Sequence, residues 1–125
     1  MATSAKAVAN RLLELAARDG KSIDPLQMEK LVYLAEGFTL AVNDESLYSD
    51  DIEAWQYGPV VPDLYYALRQ YGADAITAPL YEYDYETREP VIATGNFDDV
   101  ERDVVDAVWE NLRKLDGPRA YQAHP

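Results

Sequence analysis

Hydrophobic positions along this chain change period several times, and each change marks an element. Between Ala5 and Arg18, Val8, Leu12 and Leu15 recur at helical spacing, and Gly20 stands where such a helix would stop. The next start is specified more fully. Asp24 is a good N-cap, Pro25 suits the first helical position, Gln27 completes a capping-box pattern, and Ile23 and Met28 occupy the two staple positions. From there Met28, Leu31, Val32, Ala35, Phe38 and Val42 form one apolar stripe, while Leu34, Leu40 and Ala41 extend it around the other side. A helix that is apolar over most of its circumference is expected at the centre of a bundle, surrounded by others.

After the polar loop "NDESLYSDD", the segment "DIEAWQYG" has no helical stripe and reads as a short strand or extended piece. Asp63 to Tyr71 is helical in pattern, with Leu64, Leu68 and Tyr71 on one face and Gly72 as its stop. Over residues 79–95 the period drops to two: Leu80, Glu82, Asp84 and Glu86 alternate with Tyr81, Tyr83 and Tyr85, and "PVIAT" can return as a second strand. Asp98 and Glu101 open a last helix whose stripe is Val104, Ala107, Val108, Leu112 and Leu115, with Trp109 expected in the core. The predicted fold is mainly α (α+β): a compact bundle of four to five helices around a central helix, with a small β-hairpin or short sheet. No repeat or linker divides residues 1–125, so a single domain is expected.

Charge changes this picture more than composition does. The formal charge is -12, from 11 basic and 23 acidic side chains. Residues 31–112 carry three basic and eighteen acidic side chains, while both ends are slightly basic. Such a middle repels phosphate backbones, which are bound through clustered Lys and Arg, so no nucleic-acid partner is expected. It would steer a basic protein toward itself, although acidity of this kind also serves solubility alone. There is no cysteine, and the N-terminus lacks an apolar run long enough for a signal or a membrane span, so a cytoplasmic protein with no membrane partner is the expectation.

Catalytic chemistry has little to build on. His124 is the only histidine and, with no cysteine, leaves no nucleophilic triad and no histidine metal cluster to assemble. Asp50, Asp51 and Glu53 could hold Mg²⁺ or Ca²⁺ through oxygens, but loop acidity is the commoner reason for such a cluster. No Gly-rich phosphate loop is present. The reading is therefore no enzyme, no cofactor and no metal.

The stretch "EAWQYGPVVPDLYYAL" remains to be explained. Pro59 and Pro62 fix their own φ and restrict Gly58 and Val61 before them, which gives a strand end, a stiff corner and a helix start. It also holds Trp55 and Tyr57 two apart in an extended segment, hence on one face together with Glu53. With Gly58 and Pro59 these make a candidate docking ledge. Tyr81, Tyr83 and Tyr85 are the second candidate, and the alternation is equally compatible with a tyrosine ladder packed on the helices.

Two of these segments resemble the SocA-like Panacea-domain antitoxins. Lys30, Leu31, Tyr33 and Ala35 match the family's Lys-Leu-x-Tyr-x-Ala helix. Glu53, Ala54, Trp55, Tyr57, Gly58, Pro59, Val60 and Pro62 match its second motif in order and spacing. The resemblance covers residues 5–115, whereas the ending "GPRAYQAHP" departs from the longer C-terminal part of most members, which is here short or divergent. It implies an antitoxin of a type II-like pair, bacterial or prophage-encoded, that neutralises a cognate toxin by direct protein–protein binding. Such toxins include translation inhibitors acting on tRNA or nucleotides, whose basic surface would suit an acidic partner. Delivery of the toxin to a protease is the alternative within the family. A small helix-turn-helix-like regulator built on residues 5–42 is the alternative outside it, and self-association into a homo-oligomer is compatible with either.

Overall fold

A computed structural model describes residues 3–56 and 58–112. Helix α1 runs Ala5–Arg18, α2 Pro25–Asn43, α3 Pro62–Leu68 and α4 Asp99–Leu112, and a single 3₁₀ turn, Arg69–Tyr71, extends α3. Two antiparallel hairpins complete the element order: β1 Glu53–Trp55 with β2 Gly58–Val60, and β3 Tyr81–Asp84 with β4 Glu89–Ile92. The fold is mainly α, with 52% of the described residues helical. It has two small β elements among the described residues, whereas the sequence pattern pointed to one.

Local chemistry sets the helix boundaries. The Ser4 hydroxyl accepts the Ala7 N–H, and the Asp24 carboxylate accepts the Gln27 N–H at 2.7 Å, with Pro25 behind it. At α4 the capping box is reciprocal: Glu101 N–H donates to Asp98 at 2.8 Å and Asp98 N–H donates to Glu101 at 2.9 Å. Both staple residues, Ile23 and Met28, are fully buried.

The core lies where α1, α2 and α4 meet, with Leu64 and Leu68 of α3 closing one side. Leu12, Met28, Val32, Val105, Val108 and Trp109 are among its fully buried side chains. Trp109 sits there as expected, and its indole N–H donates to Asp19 at 2.7 Å, which satisfies the polar end of the ring. Arg11 pairs with Asp106 and Arg18 with Glu110, so basic residues of α1 offset part of the acidity of α4. Leu47 and Tyr48, placed by the sequence in a polar loop, are buried. Thr3 bridges to Tyr48, and the Ala5 N–H donates to Asp50 at 2.9 Å, tying this loop to the start of α1.

One expectation for α2 fails at its far end. Met28, Leu31, Val32 and Ala35 are buried, but Phe38 is 49% exposed and Val42 more so. Thr39 between them is fully buried, so the inward face of α2 stays covered into the fourth turn while Phe38, Leu40 and Val42 lie on faces left largely in water.

Candidate functional site

The docking ledge inferred from residues 53–62 is a hairpin packed against α3. β1 and β2 pair in register Glu53↔Val60, Ala54↔Pro59, Trp55↔Gly58. A two-stranded ribbon has only edge strands, so Pro59 costs no central ladder bond. Gly58 has φ +123°, where an L side chain would be strained, and this reversal therefore needs glycine. The chain then passes into α3 through Val61, whose N–H donates to Glu29 of α2 at 3.2 Å. Glu53 and Trp55 share a face as expected, joined by a 2.9 Å bond from the indole N–H to the Glu53 carboxylate. Tyr57 lies outside the described residues.

Two side chains that the pattern of the sequence did not single out complete this corner. The Trp55 ring meets Tyr65 edge-on at 4.9 Å and Tyr66 at 6.3 Å, and the two tyrosines meet at 5.4 Å. The Arg69 guanidinium lies 5.3 Å from the centre of the Tyr66 ring. Tyr65 and Tyr66 are both exposed, Tyr66 to 55%, and Trp55 is half-buried beneath them. Each T-shaped contact holds a ring in place at the surface. Exposed Asp51, Glu53 and Asp63 lie along the same stretch. A sequence signal existed: Leu64 and Leu68 define the inward face of α3, which leaves Tyr65 and Tyr66 pointing outward.

The second candidate, the tyrosine strand, projects as an arm. In β3–β4 the register is Tyr81↔Ile92, Glu82↔Val91, Tyr83↔Pro90 and Asp84↔Glu89. Tyr81, Tyr83, Pro90 and Ile92 thus share one face, and all four are exposed, as is Tyr85 to 84%. Tyr81 and Tyr83 are about half exposed, and Tyr83 and Tyr85 contact each other at 4.8 Å. The base of the arm is tied down. The buried Asn10 amide donates to the Leu80 and Ala93 carbonyls at 2.9 and 2.8 Å and accepts the Leu80 N–H at 2.8 Å, and Lys6 reaches the Tyr81 carbonyl. Between α1 and this base runs an open groove of about 690 Å³, lined largely by apolar side chains including Leu13, Ile76, Ile92 and Phe97.

Beneath the corner lie two buried carboxylates. Burial pushes Glu29 up to about 7, against the opposing bond from Val61, and raises Glu36, against that from Leu47. Tyr48 is held above its ordinary value by burial and by the nearby charges of Glu36, Glu29 and Asp50. These groups face backbone and core and are not paired with a nucleophile. No group of three His, Asp or Glu suited to a metal ion occurs among the described residues, and Asp50 is engaged with the α1 N-terminus. What the surface offers is rigid aromatic area beside negative charge. Among the described residues no helix is long and apolar enough to cross a membrane.

Residues 28–121 match the model of a protein family described as Antitoxin SocA-like, Panacea domain. Over 61 residues the chain is 43% identical to a protein named Antitoxin SocA from Caulobacter vibrioides (strain NA1000 / CB15N). That alignment covers 49% of this chain and 32% of the relative, so the chain matches about a third of the relative's length. No solved structure matches the chain.

Proposed function

The chain belongs to the SocA-like Panacea-domain family of antitoxins, and from that membership we propose that it neutralises a cognate toxin by direct binding, with the aromatic corner as the docking surface. The observation that carries this is the Trp55–Tyr65–Tyr66 cluster, with both tyrosines exposed, built on a proline-stiffened hairpin. Tyr and Trp at the centre of an interface contribute large contact area with few rotatable bonds, so little freedom is lost on binding. Pro59 and Pro62 fix their own φ and restrict Gly58 and Val61 before any partner arrives. Glu53, Asp51 and Asp63 give the corner an acidic margin, which suits a partner apolar at its centre and basic at its edge. A toxin acting on tRNA or nucleotides, and so blocking translation, carries such a basic surface. Tyr57 and the arm residues Tyr81, Tyr83 and Tyr85 are further contacts in this reading.

The test is growth rescue on co-expression with the toxin encoded beside this gene. Tyr66→Ala should abolish rescue and weaken the purified complex by a factor of thirty or more, corresponding to a hot spot of about 2 kcal/mol. Its melting temperature should stay within a degree or two of the parent, because Tyr66 is exposed. Full rescue by Tyr66→Ala and by Trp55→Ala would overturn the corner as the docking site. Loss of rescue in Tyr81→Ala/Tyr83→Ala alone would move it to the arm. Toxin abundance during rescue separates the mechanisms: unchanged toxin means sequestration, and depleted toxin means delivery to a protease.

A further inference from the structure

We propose that two copies of this chain pair by exchanging arms, the β3–β4 hairpin of each lying in the groove between α1 and the arm base of the other. The groove is where the chain reverses its sign. Among the described residues it is lined by three basic side chains, Arg11, Lys21 and Arg102, and one acidic, Glu14, in a chain of 11 basic and 23 acidic residues. Arg11 is already paired with Asp106 and Glu14. Lys21 and Arg102 are exposed, and neither side chain has an ion pair or hydrogen bond among the described residues. The two stand toward opposite ends of the groove. Helices α1 and α4 run parallel, since Arg11 meets Asp106 and Arg18 meets Glu110. Arg102 precedes the first of these contacts by about one turn, and Lys21 follows the end of α1.

The arm has the opposite chemistry. It carries Glu82, Asp84, Glu86 and Glu89 against Arg88 alone. Its exposed face holds Tyr81, Tyr83, Pro90 and Ile92, with Tyr85 beyond them, an apolar patch of the kind that marks an interaction surface. The lengths agree as well. Between Ala7 and Ala17, both on the groove, α1 rises about 15 Å; from Tyr81 to its turn at Tyr85 the arm spans about 13 Å. The groove floor is fixed before anything lies on it. Ile76 is buried, and Leu13 and Phe97 are half-buried with one side on the core. Gly95 leaves room for Phe97 there: a Cβ at 95 would stand 2.5 Å from that ring and displace it.

Charge and symmetry select a second copy as the occupant. A basic toxin is steered to the acidic margin of the corner, and a groove lined mostly by cations disfavours it. An acidic, aromatic ribbon suits that groove, and the chain carries one at the groove's edge. Ile92 belongs to both surfaces: it stands on the exposed face of the arm and also lines the groove, 46% exposed. A two-fold axis beside Ile92 therefore sends each arm along the groove of the other copy, and the two contacts are equivalent, as a closed dimer requires. The tyrosine face then rests on Leu13, Ile76 and Phe97. The acids of the arm come near Lys21 and Arg102, and charges about 8 to 10 Å apart still attract at ordinary salt. The corner on α3 takes no part, so the dimer and the docking corner are independent.

The experiment is sedimentation equilibrium on the purified chain, without toxin, across the micromolar range. The expected mass is twice the chain mass of 14.1 kDa. Two charge reversals then test which surfaces meet. Lys21→Glu/Arg102→Glu reverses the groove and Glu82→Lys/Glu86→Lys reverses the arm, and each variant alone should be a monomer, because both of its contacts now oppose like charges. An equimolar mixture of the two should be a dimer again, since the basic arm of one meets the acidic groove of the other while the second contact keeps its native charges. Nonspecific association gives no such recovery. A wild-type chain that is a monomer at every concentration, or that grows into larger assemblies, overturns the proposal. So does a groove variant that remains dimeric, or a mixture that remains monomeric. If the arm substitutions loosen the hairpin itself, the groove variant, which leaves the arm untouched, still decides. Growth rescue by the Tyr66→Ala variant is scored separately, so the docking corner can fail while the dimer stands, and the reverse.

Discussion

Replacing Glu29 by glutamine should make the protein more stable at neutral and alkaline pH and leave it little changed in acid. The Glu29 carboxylate is held at the junction of α2 and the start of α3, with Oε1 accepting from Val61 and Oε2 buried with no hydrogen-bond partner among the described residues. Burial disfavours its charged form and raises its pKa from an ordinary 4.5 to about 7. Each tenfold change in proton affinity is worth about 1.4 kcal/mol, so complete ionisation in the folded state costs at most about 3.5 kcal/mol. Partial access of water to this side chain reduces the figure to about 1 to 2 kcal/mol.

The direction follows from proton uptake. Between about 4.5 and 7 the folded chain keeps a proton on Glu29 that the unfolded chain has lost, so stability falls as pH rises through this window and levels off above it. Urea unfolding at a series of pH values, followed by circular dichroism, measures this for the parent and for Glu29→Gln. The difference between the two curves matters more than either alone, because the net charge of -12 also changes stability with pH and cancels in the comparison. The new amide N–H₂ would occupy the place of the unpartnered Oε2, and any cost of burying it shifts the variant's curve equally at all pH values. The expected signature is therefore a difference that grows by about 1 to 2 kcal/mol in favour of glutamine from acid to mildly alkaline pH. A difference that is flat, or that grows in favour of the parent, would refute desolvation of Glu29 as the cause.

Two further perturbations test the packing. Leu31→Ala should cost on the order of 2 to 5 kcal/mol as a core truncation, whereas Phe38→Ala should cost less than about 1 kcal/mol because half of its ring is already in water; equal losses in thermal melts would put Phe38 back in the core. Asn10→Ala leaves the buried Leu80 N–H and Ala93 carbonyl without their side-chain partner, at roughly 2 to 4 kcal/mol by urea unfolding. The same variant should accelerate amide exchange in the β3–β4 arm before the helices open, and protection that stays uniform would mean the arm is held by something other than Asn10.

Helix ends were legible from the sequence because capping is local. Asp24 with Gln27 and Asp98 with Glu101 act within four residues of each other, and α2 and α4 begin where those signals stand. The second strand of the first hairpin was not legible, because a three-residue strand containing Pro59 has the same pattern as a stiff corner. Nor was the burial of Leu47 and Tyr48, which depends on Glu36 accepting a backbone N–H from eleven residues away. The aromatic corner was half legible: Trp55 stood out, but Tyr65 and Tyr66 reach it only because the hairpin reverses the chain onto α3.

The case of α2 is different in kind. Its apolar circumference was read correctly, and the inference that its own bundle covers all of it was not. Periodicity reports which faces of a helix avoid water and is silent on whether the cover comes from the same chain. Phe38, Leu40 and Val42 remain between 44% and 68% exposed, although each belongs to the apolar pattern of the helix. The pattern therefore predicts the inward face of the helix well, and overstates how far around the circumference its neighbours reach.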